Sequence, residues 1–184
     1  MQNLFYITGL SGVGKSTFIN KILNDPNCPK NLEIVNMGNF MFQWLLEKNL
    51  INKDFDRNEI KNILTEETLL EIINDIIKTF EPTKIYLFDN HLIKFKGKNE
   101  NYLEVNLQIQ EKYSPAAYVI LTLYPKKLYQ RILEDGKKRK IIDAKTLNFR
   151  QNLLISTAKT LAKELGSDFL KLNNSKEKTE KMLN

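Results

Sequence analysis

A glycine-rich segment near the start of the chain has the residue types and spacing of a phosphate-binding loop. It reads GLSGVGKST from Gly9 to Thr17 and follows an apolar run, Leu4 to Thr8, that is typical of a buried strand. The glycines let successive backbone amides point at phosphate oxygens, and a helix beginning at Gly14 adds its positive N-terminal end. In this pattern Lys15 reaches the β and γ phosphates, and the Ser16 hydroxyl is a ligand of Mg²⁺. The predicted ATP site comprises Gly9, Leu10, Ser11, Gly12, Val13, Gly14, Lys15, Ser16 and Thr17, with Mg²⁺ as cofactor.

Two further candidates follow a second apolar run. Asp89 comes directly after Ile85 to Phe88, at the place where a second acid supports the magnesium ion of a phosphate loop, here through water. His91 lies two residues further on. It is a candidate contact to a phosphate acceptor, although a lone histidine more often packs or caps.

The positive charge of the chain is concentrated in one segment. The net charge is +6, and residues 126–145 hold eight basic and three acidic side chains. A nucleic-acid binder would spread such charge over a face, whereas one basic segment suits a small polyanion. Arg131 and Arg139 offer planar forks for phosphate, so we expect a basic segment that closes over ATP. The alternative for the lysines is a solvated surface run or a nucleic-acid patch.

Composition excludes several other classes. The chain has 184 residues, 42% of them hydrophobic, a length and composition typical of one globular domain rather than a disordered or fibrous chain. Cys28 is the sole cysteine and His91 the sole histidine, too few for a disulfide or a structural zinc site. The longest apolar run, Ala116 to Tyr124, is too short for a membrane span. We expect a cytoplasmic protein that does not bind membranes.

Apolar runs alternate with helical patterns, which is typical of βα units with a parallel sheet. The predicted strands are Leu4 to Thr8, Glu33 to Asn36, Lys84 to Asp89, Tyr118 to Leu123 and Asp168 to Leu172. The predicted helices are Gly14 to Asn24, Phe40 to Lys48, Glu66 to Thr79, Tyr102 to Lys112, Pro125 to Asp135, Ala144 to Leu165 and one after Ser175. The stretch Phe40 to Phe80, broken at Asp54 to Arg57, is too long for a simple crossover and predicts an inserted helical arm.

The order of these motifs resembles that of archaeal-type adenylate kinases, which are nucleoside monophosphate kinases of the P-loop class. The resemblance is carried by GLSGVGKST at Gly9 to Thr17, NMGNFM at Asn36 to Met41, DRNEI at Asp56 to Ile60, FDNH at Phe88 to His91, the Arg131 to Lys140 stretch, and Asn148 with Phe149. It implies a P-loop NTPase fold: a three-layer α/β/α domain, 1–184, with a five-stranded parallel sheet, an arm at about 38–80 that holds the monophosphate, and a basic lid at about 131–145. It also implies transfer of a phosphoryl group from MgATP to AMP, and often a trimer.

The same resemblance implies a set of site residues. Lys15, Arg131 and Arg139 would act in catalysis, and Arg131, Lys138 and Lys140 would join the loop in binding ATP. The AMP site would comprise Gly38, Phe40, Arg57, Lys61 and His91, and the metal site Ser16 and Asp89. The cluster Phe40, Met41, Phe42 and Trp44 is more simply interpreted as a helix that buries one face in the core than as a base-binding site.

The chain also departs from this family. Lys61, Lys138 and Lys140 stand where the family usually has arginines, which keeps the charge but loses the fork. Arg150 lies one position from the place of a further arginine, and residues 94–102 replace a proline- and glycine-rich loop. Two other functions therefore stay open: a kinase for another small metabolite, with Asp89 as base, or an ATP-dependent switch associated with RNA.

Overall fold

The computed structural model describes residues 3–93, 95, 107–135 and 142–175. Within these residues no helix combines the length and the hydropathy needed to cross a membrane. The predicted lid residues Lys138, Arg139 and Lys140 lie outside the described residues, as does the helix predicted after Ser175.

Five parallel strands form a single sheet in the order β2-β3-β1-β4-β5. The strands are β1 (Leu4–Thr8), β2 (Leu32–Asn36), β3 (Ile85–Asp89), β4 (Ala117–Thr122) and β5 (Asp168–Asn173). The first strand is therefore central, and the carboxyl ends of its neighbours meet beside the loop that follows it. In the register, Ile7 pairs with Asp89 and Asn36 also pairs with Asp89 across the next ladder.

Helices connect the strands and complete the α/β/α arrangement. They are α1 (Lys15–Leu23), α2 (Met37–Glu47), α3 (Ile60–Ile63), α4 (Glu66–Lys78), α5 (Leu107–Tyr113), α6 (Pro125–Glu134) and α7 (Ala144–Leu165), with a 3₁₀ turn at Arg57–Glu59. Helices α6 and α7 pack together, and α7 also contacts β4 and β5. Elsewhere α4 contacts both α2 and α5.

Buried side chains of the central strands, several of them aromatic, form much of the core. Every residue of β4 is buried, and the aromatic rings of Tyr6, Phe88, Tyr113 and Tyr118 pack against one another with centroid separations of 4.6–6.4 Å. Aromatic pairs in such tilted arrangements stabilise a core beyond the area they bury. The carboxyl ends of β1 and β3 are consequently fixed on a rigid base.

The predicted fold class is confirmed, and the strands fall within one residue of their predicted ends. The start predicted for α5 at Tyr102 lies outside the described residues, and the largest error within them is the start of α2, which begins at Met37 rather than at the predicted Phe40. Asn36 is the cause, because its side chain accepts a hydrogen bond from the backbone amide of Asn39 and so caps the helix three residues early. Between the two predicted helices of the arm, the structure adds a 3₁₀ turn at Arg57–Glu59 and the short helix α3, which the sequence did not predict.

Candidate active site

The predicted phosphate loop connects β1 to α1 and is anchored by its own apolar residues. Val13 is fully buried, and its backbone amide donates to the carbonyl of Leu10 at 3.2 Å. Gly14 precedes α1 with φ 92°, a left-handed conformation that glycine adopts without strain. The Lys15 ammonium donates to the carbonyl of Gly9 at 3.1 Å, so it lies over the loop. The loop thus presents a lysine and a helix N-terminus at one point.

Residues from the far end of the sheet hold this loop in place. Asn174 follows β5, and its side-chain amide donates to the carbonyl of Val13 at 2.6 Å. Its own backbone amide donates to the carbonyl of Thr122 at 2.8 Å, which ties it to the end of β4. A Cβ built on Gly14 would lie 3.7 Å from Nη1 of Arg131, so the guanidinium from α6 lies beside the same loop.

Asp89 lies at the carboxyl end of β3 with its two carboxylate oxygens in different surroundings. Oδ2 accepts a hydrogen bond from the side-chain amide of Asn36 at 3.0 Å. Oδ1 is buried and has no hydrogen-bond partner among the described residues. A buried acceptor without a partner is costly to the fold, so Oδ1 is a candidate atom for contact with a ligand in the cavity that Asp89 lines.

His91 lines the cavity as a neutral side chain. It reaches solvent at the cavity mouth, yet the surrounding protein atoms and the positive charge of Lys15 lower its pKa to about 4. The imidazole is therefore uncharged near pH 7, with one nitrogen able to donate and the other to accept a hydrogen bond.

The start of the arm forms a second polar cluster. The Arg57 guanidinium donates to Oδ1 of Asn39 at 2.8 Å and lies 4.4 Å from the centroid of the Phe42 ring. Trp44, on the same helix, is buried and donates from its indole nitrogen to Asp75 of α4 at 3.0 Å. The residues of the aromatic cluster therefore have different roles. Trp44 belongs to the core, and Phe42 packs against Arg57.

A cavity of about 800 Å³ brings most of the predicted residues together. Its lining includes Ser11, Gly12, Gly14, Lys15, Ser16, Thr17, Gly38, Asp89, His91 and Arg131 of the predicted set. Gly9, Leu10 and Val13 shape the loop from behind, while Phe40 and Arg57 stand outside the lining. The side chain of Lys61 lies outside the part of the chain that the structure describes.

Sequence reasoning missed several residues of the cavity. Asn36 and Asn174 each stand at or just after the end of a strand, where an asparagine is easily taken for an ordinary loop residue. Lys21, Met41, Asn90, Glu134 and Asp135 also line the cavity. The signal that could have found Asn36 and Asn174 is topological, since carboxyl ends of parallel strands gather at one edge of the sheet.

Arg150, near the start of α7, contacts an aromatic ring. The Arg150 guanidinium lies 4.7 Å from the centroid of the Phe95 ring. Gln151 is buried, and its side-chain oxygen accepts a hydrogen bond from the backbone amide of Leu123 at 3.0 Å. Gln151 therefore supports the segment that follows β4, and Arg150 contacts the segment that follows His91.

The residues fit a magnesium ion bound together with phosphate. Ser16 and Asp89 offer a hydroxyl and a carboxylate, the hard oxygen donors that Mg²⁺ prefers, and both line the cavity. Oδ1 of Asp89 is the buried acceptor that lacks a partner among the described residues. In the described ranges no group of three or more His, Cys, Asp or Glu side chains gathers into a metal site.

The parallel sheet, the glycine-rich loop after its central strand and the cavity above that loop define a P-loop NTPase domain. Residues 8–148 match the AAA domain family, and the chain belongs to that family. The resemblance to adenylate kinases is thereby broadened to a family of nucleotide-binding P-loop domains.

Two solved structures are similar to this chain. One is a gluconokinase from Sinorhizobium meliloti 1021, with 12% identity and a TM-score of 0.47 over 95% of this chain and 84% of that chain. The other is the shikimate kinase from Bacteroides thetaiotaomicron, with 13% identity and a TM-score of 0.45 over 98% of this chain and 92% of that chain. The search of curated proteins gave no match.

Proposed function

We propose that the chain is a nucleoside monophosphate kinase that transfers the γ-phosphoryl group of MgATP to AMP. The observation that carries the proposal is a cavity whose lining includes both predicted sets of residues. The phosphate loop and Arg131 line it as the donor wall, and Gly38 and Met41 at the start of the arm line it together with His91 as the acceptor wall. Two substrates bound on these walls would meet beside Asp89.

The donor wall has the charges that phosphoryl transfer needs. Lys15 lies over the loop, and Arg131 approaches it from α6. As the phosphoryl group moves, negative charge spreads over its oxygens, and fixed cations lower the energy of that state. The lysine acts as a point charge, whereas the guanidinium fork also fixes orientation.

The acceptor wall can bind a monophosphate without a general base. A phosphate oxygen of AMP is already a nucleophile, so positioning supplies most of the rate. His91 is neutral and can hydrogen-bond an acceptor without adding charge. Arg57 is held near Gly38 through Asn39 and would supply positive charge for the acceptor phosphate.

Magnesium would be held by Ser16 and Asp89 together with the phosphates. When bound, it neutralises charge on the β and γ phosphates. Asp89 would contribute one carboxylate oxygen, while its other oxygen, Oδ2, accepts a hydrogen bond from Asn36 at the end of β2.

A second candidate is a kinase that phosphorylates a hydroxyl group of a small metabolite. It is favoured by Oδ1 of Asp89, which has no hydrogen-bond partner among the described residues, because a carboxylate oxygen in the cavity of the phosphate loop can accept the proton of an attacking hydroxyl. The two candidates share the donor wall and differ only in the acceptor.

The test measures ADP formation from MgATP with AMP, other nucleoside monophosphates, and the hydroxyl acceptors gluconate and shikimate. We expect AMP to be the best acceptor, with Lys15→Ala inactive and Lys163→Ala, on the exposed surface of α7, unchanged. Arg57→Ala should raise the KM for AMP more than the KM for ATP. Transfer to a hydroxyl acceptor in preference to every monophosphate would establish the second candidate. ATP binding with no transfer to any acceptor would contradict both.

A further inference from the structure

Asn36 is linked to Asp89 and to the arm at the same time. Its amide nitrogen donates to Oδ2 of Asp89 at 3.0 Å, and its amide oxygen accepts from the backbone of Asn39 at 3.0 Å. One planar group therefore joins the end of β3 to the first turn of α2. The two ends of an amide have opposite hydrogen-bonding roles, so this arrangement also fixes which way the group is turned.

The position of Asn36 is itself rigid. It is the last residue of β2, and it pairs directly with Asp89 in the parallel ladder between β2 and β3. Met37, the next residue, is buried in the core. The side chain consequently has little freedom to leave Asp89 while the sheet and α2 are intact.

The two carboxylate oxygens of Asp89 therefore differ in their hydrogen bonding. Because Oδ2 is occupied by the Asn36 amide, the carboxylate is held in one orientation, and Oδ1 remains without a partner among the described residues. Groups that orient a metal ligand from behind change metal affinity although they never touch the metal.

The link continues into the arm. The side chain of Asn39, whose backbone Asn36 caps, accepts a hydrogen bond from Arg57. The side chain of Asn36 thus connects the arm to the Asp89 carboxylate.

We propose that Asn36 is a positioning residue that holds Asp89 for Mg²⁺ and thereby sets the magnesium dependence of nucleotide binding. The inference rests on the proposed use of MgATP and is independent of the acceptor. Asn36 acts through Asp89, so its contribution disappears when the Asp89 carboxylate is removed.

The first experiment compares ATP affinity with Mg²⁺ and with EDTA by titration calorimetry. Asn36→Ser retains an oxygen that can cap α2 but is too short to reach Asp89. We expect the ratio of the two affinities to fall roughly tenfold in Asn36→Ser, with ATP affinity in EDTA unchanged. Asn36→Thr, which also retains a capping hydroxyl, serves as the second variant should Asn36→Ser not fold.

The matched control removes a helix cap elsewhere. Thr65 caps α4 by accepting a hydrogen bond from the backbone of Thr68, and it does not line the cavity. Thr65→Ala should lower the unfolding temperature without altering the magnesium ratio. An equal change of this ratio in Thr65→Ala and Asn36→Ser would overturn the inference, because the effect would then be structural.

A double-mutant cycle completes the test. If Asn36 acts through Asp89, Asn36→Ser has no further effect on the magnesium ratio in an Asp89→Asn background. Electron paramagnetic resonance titration of Mn²⁺ with ADP bound gives the same comparison without any phosphoryl transfer. Additive effects, or a wild-type ratio in Asn36→Ser, would overturn the inference. Because neither readout needs an acceptor, failure of the proposed AMP activity would leave these results interpretable.

Discussion

The side-chain amide of Asn174 donates a hydrogen bond to the carbonyl oxygen of Val13, so a residue beyond the last strand holds the phosphate loop that follows the first. The two residues are 161 positions apart in the chain. This hydrogen bond, 2.6 Å long, restrains the carbonyl of Val13 in the middle of the loop. The backbone amide of Val13 is held within the loop itself, by the carbonyl of Leu10.

Replacing Asn174 with alanine should loosen the loop and weaken ATP binding. A net contribution of about 1 kcal/mol for such a hydrogen bond corresponds to a loss of roughly fivefold in affinity. Titration calorimetry with MgATP measures this. Asn173→Ala is the matched control because, among the contacts described, its side chain only accepts a hydrogen bond from the backbone amide of Ser175. An equal loss in both variants would show that Asn174 has no specific role.

Gly14 should not tolerate a side chain. Its φ is +92°, and a Cβ built there would lie 2.5 Å from Nδ2 of Asn174, so Gly14→Ala must displace that asparagine or the loop. We expect a loss of ATP affinity well beyond tenfold. Gly166, which ends α7 at φ +66° with nothing within 4 Å of a Cβ, is the control. Gly166→Ala should lower the free energy of unfolding by about 1–2 kcal/mol and leave ATP affinity unchanged; a comparable loss of affinity there would refute the steric explanation.

Arg131 should matter more to transfer than to binding. Its guanidinium lies beside the loop, where it can follow charge onto the moving phosphoryl group. We expect Arg131→Ala to lower kcat by roughly 10²–10³ while the KM for ATP changes by less than tenfold. Arg131→Lys should recover only part of the rate, because it lacks the fork. Lys126→Ala, on the exposed start of the same helix, should leave steady-state rates at the wild-type level.

Gln151 should contribute to stability rather than to activity. It is 8% exposed, and its oxygen accepts the backbone amide of Leu123 at 3.0 Å. Gln151→Leu leaves the backbone amide of Leu123 without this acceptor. We expect the free energy of unfolding to fall by about 1–3 kcal/mol. Urea denaturation measures the cost, and Gln43→Leu, at an exposed site on α2, should remain within about 0.5 kcal/mol of wild type.

Acid should release the contact between Trp44 and Asp75. Hydrogen bonds from Lys78 and then from Trp44 hold the pKa of Asp75 below its ordinary value of 3.8. A lowered pKa stabilises the fold at pH above that ordinary value, and the contribution is lost as the pH falls through the lowered one. The difference in unfolding free energy between wild type and Asp75→Asn should therefore be full at pH 7 and shrink below about pH 4. Trp44, the sole tryptophan, reports the transition by fluorescence; a difference that grows in acid would contradict the assignment.

The phosphate side of the site could be predicted because its chemistry is local. Gly9 to Ser16 lie within one turn and the start of one helix, and the apolar run before them predicts the strand that positions them. Asp89 followed from the same logic at the next strand end. The glycine spacing also identified Gly14, whose φ of 92° does require glycine.

The supporting residues could not be predicted, because their roles depend on strand order. Asn36 meets Asp89 only since β2 is next to β3, and Asn174 reaches Val13 only since β5 ends beside the loop. Arg57 contacts Asn39 and Phe42 and lies outside the cavity lining, and its role in the acceptor site stays a prediction. Arg139, Lys138 and Lys140 remain predictions, as do Lys61 in the acceptor site and the proposed acceptor itself.

The central place of β1 also bears on how the chain acquires its site during synthesis. The strand pairs with residues 86–89 on one side and 117–120 on the other, so it emerges from the ribosome long before either partner exists. Such long-range pairing slows folding. The hydrogen bond from Asn174 to the phosphate loop can form only later still. A nascent polypeptide that stops short of residue 174 thus carries the complete glycine-rich motif without the hydrogen bond that restrains Val13.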